Sequence, residues 1–130
     1  MYPPVYPLLA ADSIVAAYVG TRIYPHGRAP QRVTAPYVTY TVMGGAPENT
    51  LDAAPLVDSY VTSVRIWSDQ NAGSVDVYAI GEAVRDCLEA TAHMESVPMT
   101  GRDEETLRHY IEMQFRFWVD RSSVSSQPSA

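Results

Sequence analysis

The stretch Leu107-Arg-His-Tyr-Ile-Glu-Met-Gln-Phe-Arg-Phe-Trp-Val-Asp120 carries the clearest structural signal in the chain. One side of its alternating pattern holds Leu107, His109, Ile111, Met113, Phe115, Phe117 and Val119. The other side holds Arg108, Tyr110, Glu112, Gln114, Arg116, Trp118 and Asp120. A period of two with an apolar and a polar side is typical of a strand in an antiparallel sheet whose second side faces solvent or a partner.

Two more long strands are predicted upstream. Residues 36–43 are dominated by β-branched and aromatic side chains and end at Gly44-Gly45, and residues 56–67 also alternate. Residues 48–55 show no clear period, which predicts a long loop between the two strands, and such loops are usually functional or mobile. Two shorter extended pieces are predicted at residues 23–25 and 97–102.

Apolar residues spaced three and four apart predict two helices. The first covers residues 4–19 in two pieces, where Asp12 or Ser13 caps the second piece and Gly20 ends it. The second covers about residues 68–92. This order of elements predicts an α+β fold, an antiparallel sheet with two helices packed on one face.

The chain has 130 residues, a formal net charge of −6 and one cysteine. This length fits one domain, residues 1–120, and the serine-rich tail 121–130 is predicted to be disordered because it has no core residue. A single cysteine forms no internal disulfide, which favours a reducing compartment. No apolar run reaches the ~20 residues of a membrane helix, and the first residues lack the basic flank of a signal peptide, so we expect a soluble cytoplasmic protein.

All nine basic residues are arginine, and lysine is absent. Two explanations are open: a genome whose base composition disfavours lysine codons, or contact chemistry, since the planar arginine fork suits interfaces. An acidic chain with dispersed arginines lacks the clustered cations that hold nucleic acid tightly.

Catalytic and metal-binding patterns are missing from the sequence. It has no nucleophile elbow, no glycine-rich phosphate loop and no paired histidines at metal-ligand spacing, so no enzyme activity, cofactor or metal ion is expected. Cys87 lies on the apolar side of the second helix, which predicts a core thiol and not a nucleophile. Glu48 with Asp52, and the acidic run 103–105, are interpreted as solvated loops.

Aromatic residues suggest a surface with a role in assembly. Tyr110, Arg116 and Trp118 share the outward side of the last strand, and these residue types are enriched where proteins meet proteins. A sheet face that is half covered within the same domain explains the pattern equally well.

Several stretches, in this order and spacing, resemble the small tail terminator (tail completion) proteins of long-tailed bacteriophages, which also occur in gene transfer particles. They are Leu8–Asp12 leading into Gly20–Pro25, Ala29-Pro30, Ala35–Tyr40, Val64–Ser68, Ala79–Arg85 and Phe115–Trp118. The resemblance covers about residues 5–120 and matches poorly over 89–106.

The resemblance implies an α+β subunit of a hexameric ring in the virion, at the head-proximal end of the tail. The ring would cap the tail tube, stop its elongation and offer a surface to the head connector, while DNA only passes through. The expected partners are therefore other copies of the chain, the tail tube protein and the connector or neck protein, without a membrane.

Two groups of residues are candidates for the contacts of such a ring. The candidate interface residues are Arg28, Arg32, Tyr110, Arg116 and Trp118. The candidate residues of a loop facing the tube or the channel are Glu48, Asp52 and Asp58. Acidic side chains on the channel wall would repel passing DNA.

Two other functions are open at this point. A neck or head-completion protein also forms rings, and its loss would leave heads leaky. A small-molecule binding domain would place a pocket under the loops, lined by His26, His109 and the acidic loop residues.

Overall fold

The computed structural model describes residues 3–25, 35–48, 57–68, 77–103 and 108–120. Its elements are α1 (Val5–Ala11), α2 (Ser13–Val19), β1 (Ile23–Pro25), β2 (Tyr37–Glu48), β3 (Val57–Trp67), α3 (Val77–Glu89), β4 (His93–Arg102) and β5 (His109–Asp120). The predicted disordered tail, residues 49–55 of the loop predicted over 48–55, and residues 104 and 105 of the acidic run lie outside the described residues, while Glu48 belongs to β2.

Five strands form one sheet in the order β1-β2-β3-β5-β4. The three long strands β2, β3 and β5 pair antiparallel along their whole length, and β4 pairs antiparallel with β5. The predicted α+β class is confirmed. One edge differs from the expected antiparallel sheet, because β1 runs parallel to β2. Three residues are too few to show a pairing direction in their sequence pattern.

The first predicted helix is divided as expected. Asp12 separates α1 from α2, and its Oδ1 accepts hydrogen bonds of 3.0 Å from the backbone N–H groups of Ile14 and Val15. Of the two predicted caps, Asp12 is therefore the one used. Gly20 ends α2 with a φ of 59°, a left-handed value that glycine adopts without steric cost.

Two strand ends differ from the prediction, and helix α3 ends at Glu89, before the predicted end near residue 92. Strand β2 does not stop at Gly44-Gly45 but continues to Glu48, because the pairing with β3 shifts register between Val42 and Gly44 and then resumes. Strand β4 begins at His93, four residues before the predicted start at Val97. Bulged pairing on both strands hides the period of two that the prediction relied on.

The core lies between the three helices and one face of the sheet. Its fully buried large side chains are Val5, Leu9, Val15, Val19, Val38, Val64, Ile66, Ile80, Leu88, Met113, Phe115 and Phe117. Ile111, Met113, Phe115 and Phe117 alternate with partly exposed neighbours, so the predicted two-sided pattern of β5 is confirmed. The helices thus occupy one face, as expected. Among the described helices, none has the length and apolar character needed to cross a membrane.

Candidate assembly surface

The face of the sheet turned away from the helices carries aromatic and charged side chains. We call it the open face, and its main residues are Thr39 on β2, Arg65 and Trp67 on β3, and Tyr110, Glu112, Gln114, Arg116 and Trp118 on β5. These positions alternate with the buried residues of the same strands. Every second residue of β5 therefore reaches this surface, as the sequence pattern predicted.

Four rings form a line across one end of the open face, which we call the aromatic row. Tyr24, Tyr37, Trp67 and Tyr110 stand on β1, β2, β3 and β5 in that spatial order. The Tyr37 and Trp67 rings stack at 5.9 Å with an interplanar angle of 8°, and the centroids of Trp67 and Tyr110 are 4.9 Å apart. Tyr24 meets Tyr37 edge-on at 6.3 Å. Stacking leaves Trp67 only 8% exposed although it lies away from the helical layer.

Polar contacts fix the aromatic row in place. The Trp67 indole Nε1 donates a 2.9 Å hydrogen bond to Thr39 Oγ1 on the neighbouring strand. The Arg65 guanidinium lies 4.4 Å from the centroid of the Tyr110 ring and 5.9 Å from that of Trp67. Glu112 accepts a 2.6 Å bond from Arg65 Nε. Arginine, tryptophan and tyrosine in one packed cluster are the residue types that dominate binding energy at protein interfaces.

A second arginine adds positive charge to this end. Arg108, just before β5, places its guanidinium carbon 5.3 Å from the centroid of the Tyr37 ring. Arg65 keeps 41% of its side-chain surface exposed, while its partner Glu112 keeps 12%. The aromatic row is therefore flanked by Arg65 with its partner Glu112, and by Arg108, whose backbone carbonyl accepts a 2.9 Å hydrogen bond from the N–H of Asp103.

Arg116 and Trp118 lie at the opposite end of the open face. Arg116 links three strands, because its Nε pairs with Glu95 on β4 and its Nη1 donates a 3.0 Å bond to Ser59 Oγ on β3. Ser59 Oγ in turn donates to the carbonyl of Ala46 on β2. Trp118 is 48% exposed. The six steps along the strand from Tyr110 to Arg116 correspond to about 20 Å, so the three predicted contact residues share a face without forming one patch.

The other predicted residues are only partly described. Arg28, Arg32 and Asp52 lie outside the described residues. Glu48 ends β2, paired with Val57, and the next pair is Pro47 with Asp58. The structure therefore brings Glu48 and Asp58 to the same end of the β2–β3 pair, and their relation to a channel remains a prediction.

Cys87 behaves as the predicted core thiol. Its Sγ lies 3.3 Å from the carbonyl oxygen of Leu8 in α1, and burial, followed by the nearby Asp12 carboxylate, raises the pKa of the thiol to about 11. A thiol that stays protonated at neutral pH is a poor nucleophile. Within the described ranges, no group of histidine, cysteine and acidic residues is arranged to hold a metal ion.

An open cleft beside β4 contains one residue of the predicted ligand pocket. His109 lines it together with Ser68, Tyr78, Thr100 and Arg102. The predicted companion His26 lies outside the described residues, as does Asp52 of the acidic loop. The cleft therefore does not test the pocket hypothesis.

Sequence reasoning missed the centre of the aromatic row. The sequence places Trp67 and Arg65 on a strand without indicating a surface role, and Tyr37 is one of nine tyrosines. The alternation along β3 carries a signal, because Arg65 and Trp67 are two positions apart and therefore share one side of the strand. Their proximity to Tyr110 depends on the strand order β2-β3-β5, which a single sequence does not reveal.

Comparison with known proteins gives a family and a similar fold. The family described as "Tail completion protein gp17" matches residues 3–120. A chain from the structure titled "Virion of native gene transfer agent (GTA) particle" superposes with a TM-score of 0.63 and 22% sequence identity, over 89% of this chain and 91% of that chain. No curated protein sequence matches the chain.

Proposed function

The chain belongs to the family of tail completion protein gp17, and from this premise we propose that it is the ring subunit that caps the finished tail tube. The family is structural, so the protein is a component of the phage tail and not an enzyme. The observation that carries the proposal is the extent of the match, since residues 3–120 include every described helix and strand. We treat residues 1–120 as the working domain and 121–130 as its tail.

Capping requires two kinds of contact. Lateral contacts between copies join two different patches head to tail and close by rotation, which is how cyclic rings form. Axial contacts hold one side of the ring on the tail tube protein and present the other side to the head connector. The proposed ring has six copies and lies at the head-proximal end of the tail, after synthesis of the subunits in the host cytoplasm.

The open face supports this proposal, because it offers a packed cluster of aromatic and arginine residues beyond the core of the subunit. Trp67, Tyr110 and Arg65 contact one another in the free subunit, so less side-chain entropy is lost when a partner covers them. Trp118, which is 48% exposed, supplies a further apolar contact at the other end.

Acidic residues on the channel wall complete the proposed ring. The chain is acidic overall, with a formal net charge of −6, and we place Glu48, Asp52 and Asp58 near the ring axis. Like charges would let DNA pass without adhering. A structure of the assembled ring tests this placement, and these carboxylates on the outer rim would contradict it.

The decisive experiment is deletion of the gene from the phage or particle genome that encodes it. We expect overlong or unjoined tails beside normal, filled heads in electron micrographs, and restoration of joined particles by the wild-type gene supplied from a plasmid. Tails of normal length that join normally would reject the proposal. Leaky heads with normal tails would instead assign the chain to the neck.

A further inference from the structure

We propose that the outer edge of β4 accepts an added strand, and that this strand is the C-terminal segment, residues 121–130, of a neighbouring copy of the chain. The inference rests on the proposed function, because a contact of this kind joins copies into the ring. It names the segment that one copy gives and the groove that the next copy offers.

The first argument is the set of backbone groups on the edge of β4. The N–H of Asp103 donates a 2.9 Å hydrogen bond to the carbonyl of Arg108, so Asp103 faces β5, and so does Gly101, two residues earlier. The N–H and C=O groups of Thr100 and Arg102 therefore point away from β5, to the outer edge. In the part of the chain that the structure describes, β4 pairs with β5 alone. Two donors and two acceptors thus stand in the arrangement that an extended backbone satisfies.

The rest of β4 is closed to such pairing, which limits the site to one end of the strand. The register with β5 shifts on both sides of Ser96, at Met94 and at Met99. Pro98 has no N–H group to donate. Bulges and prolines are the usual means by which an edge strand is protected from pairing with another chain. From Met99 to Arg102 the pairing is regular, so this segment of the edge has neither protection.

The second argument is a groove between α3 and the regular end of β4. It consists of the open cleft described above and a second pocket that continues it, and Tyr78 and Thr100 line both. Gly81 on α3 forms part of its wall, and the nearly buried Ile111 and Met113 lie at its base. The second pocket has a volume of about 160 Å³. This is sufficient for an aliphatic side chain, because apolar cavities of similar size hold benzene.

The two sides of an added strand would meet different surroundings. A residue beside Thr100 would turn its side chain toward the groove, because Thr100 itself lines the groove. The residues before and after it would turn toward the open face, beside Gly101. There the Tyr110 ring lies so close to the backbone that a Cβ on Gly101 would clash with its hydroxyl group. The groove side therefore favours an apolar side chain, and the open-face side favours small ones.

The C-terminal segment has the composition that these two sides require. Its one apolar side chain with a strand preference is Val124, which stands between two pairs of serines. With Val124 in the groove, Ser123 and Ser125 lie on the open-face side. After Arg121 the segment has no ionised side chain, so its docking leaves no charge unpaired against the apolar base of the groove.

The segment of one copy can reach only the groove of another copy. Asp120 ends β5, and Ile111, the partner of Thr100, lies nine residues earlier on the same strand. This separation is about 30 Å, whereas the four residues from Asp120 to Val124 extend over at most about 14 Å. The giving and receiving surfaces are therefore at opposite ends of each copy. Contacts between two different surfaces propagate from copy to copy and close into a ring when the rotation between neighbours permits it.

Amide hydrogen exchange of the dilute full-length protein with a synthetic peptide of residues 120–130 tests the contact. A large excess of peptide should slow the exchange of the Thr100 and Arg102 amides about tenfold or more, because both N–H groups gain an acceptor. Gly101 is the internal control, since its N–H faces β5 with or without the peptide. A peptide with Val124→Asp should bind about tenfold more weakly or worse, because the groove then receives a charge. A peptide with Ser129→Asp, which adds the same charge after Pro128, should bind like the unchanged peptide.

The outcomes of this measurement are distinct. Slower exchange at Thr100 and Arg102 that depends on Val124 supports the added strand. Unchanged exchange at both amides overturns it, and so does equal affinity of the unchanged and Val124→Asp peptides. Protection confined to amides elsewhere in the chain would place the segment on another surface and would also overturn the proposal.

The same two substitutions in the full-length gene test the contact in assembly. In the deletion strain, Val124→Asp should lower the yield of infectious or DNA-transferring particles about tenfold or more relative to Ser129→Asp. Neither substitution touches a core residue, so both variants keep the fold of the subunit. Equal yields would overturn the role of the segment in the ring. If the deletion strain makes normal tails, the ring function fails, while the exchange measurement still decides whether the segment binds the edge of β4.

Discussion

The two faces of the sheet are built from adjacent residues of the same strands but achieve burial in different ways. Ile66 and Trp67 are neighbours on β3, and both are nearly inaccessible to solvent. Ile66 is covered by the helical layer, whereas Trp67 is covered by Tyr37, Tyr110 and the Arg65 side chain within its own sheet. Packing against a second layer fixes the fold, and packing along the surface keeps a second face ordered and available to a partner.

Truncation on the covered face should cause the largest loss of stability. Phe115 is fully buried on β5, so Phe115→Ala removes its apolar contacts and leaves a cavity that the helices and strands close only in part. We expect the free energy of unfolding to fall by about 4 kcal/mol. Urea denaturation followed by circular dichroism measures it, and a loss below about 1 kcal/mol would show that the two faces do not differ as described.

The same truncation on the open face should cost less. Trp67→Ala removes two ring contacts and the hydrogen bond to Thr39, but water fills the space on the open side and no closed cavity forms. We expect a loss of about 2 kcal/mol, smaller than that of Phe115→Ala. Matched urea titrations of the two variants make the comparison, and equal losses would mean that the aromatic row is as essential to folding as the core.

The sequence was informative where a pattern is long and regular. The alternation over residues 109–120 predicted both faces of β5, and the spacing around Asp12 predicted the divided first helix. It was uninformative where pairing decides the outcome. A three-residue strand such as β1 has no measurable period, and the bulge at Gly44 hides the last part of β2. The aromatic row depends on the order of the strands, which is a property of the folded chain.

The junction of α1 and α2 tests the helical layer on the covered face. Asp12 accepts two backbone hydrogen bonds at the start of α2, so Asp12→Ala should lower the free energy of unfolding by about 1 kcal/mol. Thermal unfolding monitors the change. Ser13→Ala is the matched control, since the structure gives Ser13 no capping role, and an equal loss in both variants would contradict the assignment of the cap.

The Cys87 thiol reports on the same junction through its pH dependence. Its pKa of about 11 exceeds the ordinary value of 9.0, so the folded state favours the neutral thiol. This stabilisation is complete below pH 9 and is lost as the pH rises through 11. We expect slow alkylation by iodoacetamide up to pH 9, and a lower pKa in Asp12→Asn, because a negative charge near the thiol is removed. Burial, the larger cause, keeps the pKa above 9, and an unchanged profile in Asp12→Asn would exclude the carboxylate.

The smallest effect on stability is expected at Arg65, which is partly exposed on the open face. Its side chain is 41% accessible and its ion pair with Glu112 is partly solvated, so Arg65→Ala should reduce the free energy of unfolding by less than about 1 kcal/mol. A double-mutant cycle with Glu112→Gln isolates the pair, and a coupling energy near that of a buried pair, about 3 kcal/mol, would contradict its surface character. The same variant should impair assembly much more than folding, because an arginine held on aromatic rings contributes most when a partner excludes water from it. A small effect of Arg65→Ala on the stability of the free subunit, together with a large effect on ring assembly, is the result that distinguishes the open face from the covered face.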